Sequence, residues 1–176
     1  IKSRVRERDT NSWLATKLLY PELVVYNENV KEPRMHAWWK YAGKFPHDIP
    51  KVSSVIALLV GAQPRTMQCN FDSRFCALCQ YTFLDNAQHV LWECTALSHI
   101  RARLWYPVDR EMPHAMREDL TQDHKNDRIV KFMVSCLGES YIPEWNSLYE
   151  AVINFVHHMY KERYKLYVQL DMGKVK

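Results

Sequence analysis

Glycine is scarce in this 176-residue chain, with only 4, and its longest apolar run is the short stretch "VIALLV" at 55–60. So few glycines argue against an all-β architecture with its many tight turns. The apolar run is far short of the roughly 20 residues that cross a bilayer, and no basic-then-apolar leader opens the chain. The expectation is a soluble protein that is not secreted. Cysteine is sparse as well. There are 5, an odd number, and three of them fall close together beside a histidine. A secreted disulfide framework shows an even count spread over the chain, so a reducing, intracellular compartment fits better. Low complexity is missing too: 47% hydrophobic and 25% charged residues describe a chain that folds, about one domain long. The chain opens on Ile1 with "IKSRVRERD", which reads as the middle of a charged helix and suggests a piece of a longer polypeptide.

What the chain does contain is 6 Trp, 10 Tyr and 8 Pro, a composition that suits helices joined by proline-marked turns and packed through aromatic side chains. The expected fold is mainly α: a small helical domain with a zinc knuckle or short β-hairpin and a long C-terminal helix. Residues 9–20 read as a short helix capped by Asp9, Thr10 or Asn11 and stopped by Pro21. A second spans about 33–42, with Trp38 and Trp39 on different faces. Between Lys51 and Gly61, Val52, Val55, Ile56, Leu59 and Val60 recur at helical spacing, and Pro64 closes that helix. Residues 65–86 lose periodicity and read as a loop or hairpin. Asp85 or Asn86 can cap a continuous helix to about 105, with Val90, Cys94, Leu97, Ile100 and Leu104 on one side and Pro107 ending it. Residues 107–127 form a polar connection with a turn or two near 112–119. A helix then carries Ile129, Phe132, Met133, Cys136 and Leu137, with Cys136 in its core face. The last helix starts near Pro143 and runs to about Leu170 on a stripe of Trp145, Leu148, Tyr149, Val152, Phe155, Val156, Met159 and Tyr160.

The chemistry concentrates in "FCALCQYTFLDNAQHVLWEC". Cys76 and Cys79 form a CxxC pair, the spacing with which a tight knuckle aims two sulfurs at one point, and His89 and Cys94 follow as a second pair. The alternative is unconnected buried thiols and a capping histidine, and four ligand-type residues in one ordered cluster weigh against it. Cys69 and His99 lie near enough to be substitutes. Four protein ligands leave no open position for water, so the metal, a single Zn2+, is structural and its binding energy is folding energy. No Ser/His/Asp, Cys/His or paired-carboxylate arrangement stands out elsewhere, so an enzyme is not expected.

The pattern "CALC", "QHVLWECTAL", "IRARLW", preceded by "VIALLVGAQP", resembles the C-terminal CCHC zinc-binding segment of reverse transcriptases of non-LTR (LINE-type) retrotransposons. The likeness covers about residues 52–105. It implies that Cys76, Cys79, His89 and Cys94 hold zinc, and that the segment grips template RNA, target DNA or both during target-primed reverse transcription in the nucleus and cytoplasm. It further implies that catalysis belongs to the rest of the parent polypeptide, which is also its partner, with no membrane or small-molecule substrate involved. The polymerase's paired aspartates are missing, and "YPVDREMP" lacks the PD…D…K pattern of a following endonuclease, which favours the branch whose nuclease lies upstream. On this reading residues 1–64 continue the parent's thumb, 65–106 are the knuckle and its helix, and 107–176 are a C-terminal helical region.

A formal charge of +4 permits nucleic-acid binding without demanding it. The candidate contacts are Arg65 and Arg74 before the knuckle, Arg101 and Arg103 after it, and Lys161 and Lys165 with His158 on the last helix. Lys2, Arg4, Arg6 and Arg8 form a further basic run. Tyr160, Tyr164 and Tyr167 share a helical stripe that suits packing better than base stacking. A rival reading is a zinc-stapled protein-interaction domain that docks through an exposed aromatic, Trp38 or Trp39.

Overall fold

The computed structural model describes residues 37–59, 75–80, 83–114 and 142–173. The expected helices at 9–20 and 129–137, Cys69, Cys136, Arg65, Arg74 and the opening basic run lie outside them. Among the described residues the fold is mainly helical. In chain order it comprises α1 (Ala37–Lys44), a 3-10 turn (Pro46–Asp48), α2 (Ile49–Leu59), a 3-10 turn at the knuckle (Ala77–Cys79) and a wide π turn (His89–Glu93). A further 3-10 turn (Thr95–Leu97) leads into α3 (Ser98–Leu104), α4 (Tyr106–Glu111), a last 3-10 turn (Pro143–Trp145) and the 26-residue α5 (Asn146–Asp171). One antiparallel bridge, Phe75 with Leu84, is all that the described residues show of the expected hairpin.

α5 is the spine. Leu148, Tyr149, Val152, Phe155, Val156 and Met159 are buried, as the apolar stripe predicts, while Trp145 and Tyr160 sit at its half-buried edge. α5 packs most extensively on α2, whose Val52, Val55 and Leu59 are buried at the predicted spacing. Trp38 is fully buried and meets Tyr149 edge-on at 5.2 Å, while Tyr41 stacks on Tyr149 at 5.5 Å. Trp39 faces outward, so the two tryptophans part as the helical period requires, and Trp39 alone of the two is exposed. The Tyr41 hydroxyl donates to Asp48 Oδ2 (3.0 Å), tying α1 to the turn before α2.

The segment after the knuckle departs from expectation. A continuous helix to 105 is broken at Cys94, whose ψ of 111° is extended. Helical period explains the break. Residues five apart on an α-helix lie about 140° around the axis from each other, which would point His89 and Cys94 apart. The Cys94 N–H instead donates to His89 O (2.7 Å), closing a wide turn that returns Cys94 to the histidine's side. Pro107 does not stop a helix either. It occupies the first turn of α4, where a missing N–H costs nothing, and the chain bends at Trp105 between α3 and α4. Trp105 fills that corner with Trp92 and Phe155, at ring separations of 4.8 and 5.6 Å. One hydrophobic cluster runs from α1 and α2 through Cys76, Leu91, Cys94 and Leu97 to α5.

Candidate metal centre

Each ligand-type side chain reaches the centre by a different local device. The Cys76 N–H donates to Phe83 O (2.9 Å) beside the Phe75 and Leu84 bridge, which fixes the start of the knuckle. The Cys79 N–H donates to Cys76 O and the Gln80 N–H to Ala77 O (both 3.3 Å), and Gln80 turns the chain out with φ 55°. That left-handed conformation ordinarily falls to glycine. Asn86 is the cap of the following turn: its Oδ1 accepts from the His89 N–H at 2.8 Å. Asp85, the other candidate cap, is buried and used elsewhere.

The ligand atoms of Cys76, Cys79, His89 and Cys94 all lie within 4.8 Å of one another, so one metal ion can be held among them. Cys76, Cys94 and His89 are fully buried, and Cys79 is partly exposed at the rim. Neither ring nitrogen of His89 makes a hydrogen bond within the protein. Its Nδ1 lies 3.6 Å from the Glu93 carboxylate, and Phe83 stacks on its ring at 5.3 Å. An imidazole with both nitrogens buried and unbonded is costly unless a ligand takes one of them. His99 is exposed on α3 and lies outside the cluster, so it does not replace His89.

The electrostatics favour a cation at the same point. Cys79 Sγ is 3.4 Å from Cys94 Sγ and 3.6 Å from Thr95 Oγ1. The hydrogen bond from Cys94 pulls the Cys76 thiol down to about 3, against the opposing effect of burial. The same pairing pushes Cys94 far up, so the two sulfurs hold one proton between them. Burial resists ionisation of Cys79, yet hydrogen bonds from Thr95 and Cys94 outweigh it and its pKa falls. Burial likewise opposes charge on His89, but the neighbouring Cys76 and Cys79 sulfurs prevail and raise its pKa. Sulfurs this close cannot all ionise unless a positive charge sits among them, and a metal ion supplies it.

The basic residues separate into two groups. Arg101 turns inward: its Nε donates to Leu91 O and its Nη2 to Cys94 O (3.1 Å), which also accepts from the Leu97 N–H, where the helix breaks. Arg103 and Lys161 face solvent, and Lys165 does so while pairing with Glu162 at 2.7 Å. The Lys165 hydrogen bond lowers the Glu162 pKa, with Arg103 and His158 adding to the effect. Arg103 and His158 edge a groove of about 380 Å3 floored by Phe155 and Leu104.

Reasoning from sequence missed the most buried charges. Arg163 and Asp85 are each 1% exposed, and Arg163 Nη2 donates to both carboxylate oxygens at 2.6 and 2.5 Å. A signal existed: Arg163 continues the buried stripe of Val156 and Met159 on α5, where a charge implies a buried partner.

Comparison of the chain with protein-family models, curated proteins and solved structures returns no match. No helix among the described residues is long and apolar enough to cross a membrane.

Proposed function

We propose that this chain is a non-catalytic, zinc-stabilised nucleic-acid-binding domain, the C-terminal part of a reverse transcriptase of non-LTR retrotransposon type that grips template RNA, target DNA or both. The closed Cys3His cluster, together with exposed Arg103, Lys161 and Lys165, supports the reading. Bonds of about 2.3 Å to sulfur and 2.0–2.1 Å to nitrogen set the ligand atoms of a zinc tetrahedron about 3.5–3.8 Å apart. The 3.4 Å between Cys79 and Cys94 and the 4.8 Å overall limit suit that size after slight adjustment. Three soft thiolates and one imidazole favour zinc over calcium or magnesium, which take oxygen ligands. With all four positions filled by protein, the zinc holds structure and does no hydrolytic chemistry. Arg103, Lys161 and Lys165 are the described residues that would displace phosphate counterions, with Arg65 and Arg74 as candidates outside the described residues.

The test is a salt titration of the full chain with labelled mixed-sequence single-stranded RNA and DNA. About four phosphate contacts give log affinity against log salt a slope near −3. Changing Arg103, Lys161 and Lys165 together to Ala should flatten it by about 2. Affinity that is absent or independent of salt contradicts the proposal and favours protein docking through Trp39, which is 44% exposed.

A further inference from the structure

The distal half of α5 meets the knuckle through charged and hydroxyl groups removed from water. Arg163 binds Asp85 through Nη2, and the same nitrogen donates to the Tyr167 hydroxyl at 2.9 Å, with the guanidinium carbon 4.8 Å from the Tyr167 ring centre. Asp85 directly follows the Phe75 and Leu84 bridge and directly precedes the Asn86 cap, so it joins the two halves of the metal centre. α5 also packs on the Ala77–Cys79 turn. Asp85 alone would be a buried, unpaired carboxylate, and Arg163 neutralises it.

We propose that Arg163 is a positioning residue of the metal centre, clamping the knuckle through Asp85 so that metal occupancy and docking of the distal half of α5 are one equilibrium. This rests on the metal reading above. The proximal half of α5 is held separately, by Trp38 and Tyr41 of α1 against Tyr149. The clamp therefore acts on residues 159–170 and not on 146–156. Partners that orient metal ligands from outside the coordination sphere typically change metal affinity 10- to 100-fold.

The experiment uses the full chain loaded with zinc. Zinc is first counted in the wild type, and its affinity is then measured by competition with a chromophoric chelator. The comparison is the double variant Arg163→Met with Asp85→Asn, which removes both charges together and so leaves neither buried alone. In parallel, amide hydrogen exchange is followed in the wild type before and after chelation. The proposal expects one zinc in the wild type, binding about 10- to 100-fold weaker in the double variant, and a rise in exchange on chelation larger over 159–170 than over 146–156. Equal zinc affinity in a folded double variant overturns the clamp while leaving the metal reading intact. So does an exchange response that is the same in both halves of α5. The exchange arm decides alone if the double variant does not fold. A wild type that holds no zinc removes the metal reading, and the clamp with it.

Discussion

At Gln80 a side chain sits where the backbone prefers none. Its φ of 55° costs roughly 1–2 kcal/mol relative to right-handed conformations, and glycine would give back about 0.5–1 kcal/mol in unfolded-chain entropy. Gln80→Gly should therefore stabilise the zinc-loaded chain by up to about 1 kcal/mol, raising its urea midpoint. A lower midpoint would mean that the Gln80 side chain holds the knuckle. His157 offers a second residue-scale check. Burial, then Lys161, His158 and Lys51, lower its pKa, and its Nδ1 lies 2.8 Å from Ser54 Oγ on α2. A histidine with a folded pKa below its free value near 6.5 contributes its full stability above about pH 6.5 and loses it as pH falls through that value toward the lower one. The drop in Tm from pH 7 to pH 5 should thus be smaller in His157→Gln than in the wild type, and equal drops would contradict this assignment. Among single residues the Cys3His cluster was legible, because thiol and imidazole side chains declare themselves by type and spacing. The Asp85 and Arg163 pair was not, since its members are 78 positions apart and nothing local marks either as buried.

The elements divide along the same line between local and distant causes. α2 and α5 follow the spacing of their apolar residues, and both occur where the 3.6 period and the flanking prolines place them. The segment from 87 to 105 shows the same apolar period but breaks at Cys94, because holding His89 and Cys94 together outweighs the regular helical ladder. That competition involves a third partner, Cys76, more than ten residues away, and local periodicity carries no trace of it. The broken ladder assigns Arg101 its place: it supplies donors to the carbonyls of Leu91 and Cys94. Arg101→Met should therefore destabilise the chain by about 1–3 kcal/mol, by taking the Arg101 donor from the half-buried Leu91 carbonyl, and should weaken metal binding. Unchanged stability combined with weaker RNA binding would instead make Arg101 a phosphate contact. The exposure of Arg103, Lys161 and Lys165 was legible residue by residue, whereas the packing that sets Arg103 beside His158 of α5 was not.

For the molecule as a whole, three segments distant in sequence share one core, and the Cys3His cluster stands where the knuckle, the broken turn and α5 meet. Tyr149 of α5 packs directly on Trp38 and Tyr41 of α1. The knuckle is different: Phe83 and Leu84 are exposed, and among the described residues a single backbone bridge joins its arms. A metal ion is the interaction that would hold it, so removing the metal should release the knuckle while the helical core persists. Cys79→Ser should act in the same direction, giving a chain that retains most of its helical circular dichroism but carries no zinc and exchanges amides rapidly over 75–97. The measurement that bears most directly on this account is the metal content of the purified chain, by native mass spectrometry followed by chelation. The prediction is one zinc per chain, removed by chelator together with the exchange protection of the knuckle. A chain that carries no zinc, takes none up, and protects residues 75–97 equally well without it would contradict the account.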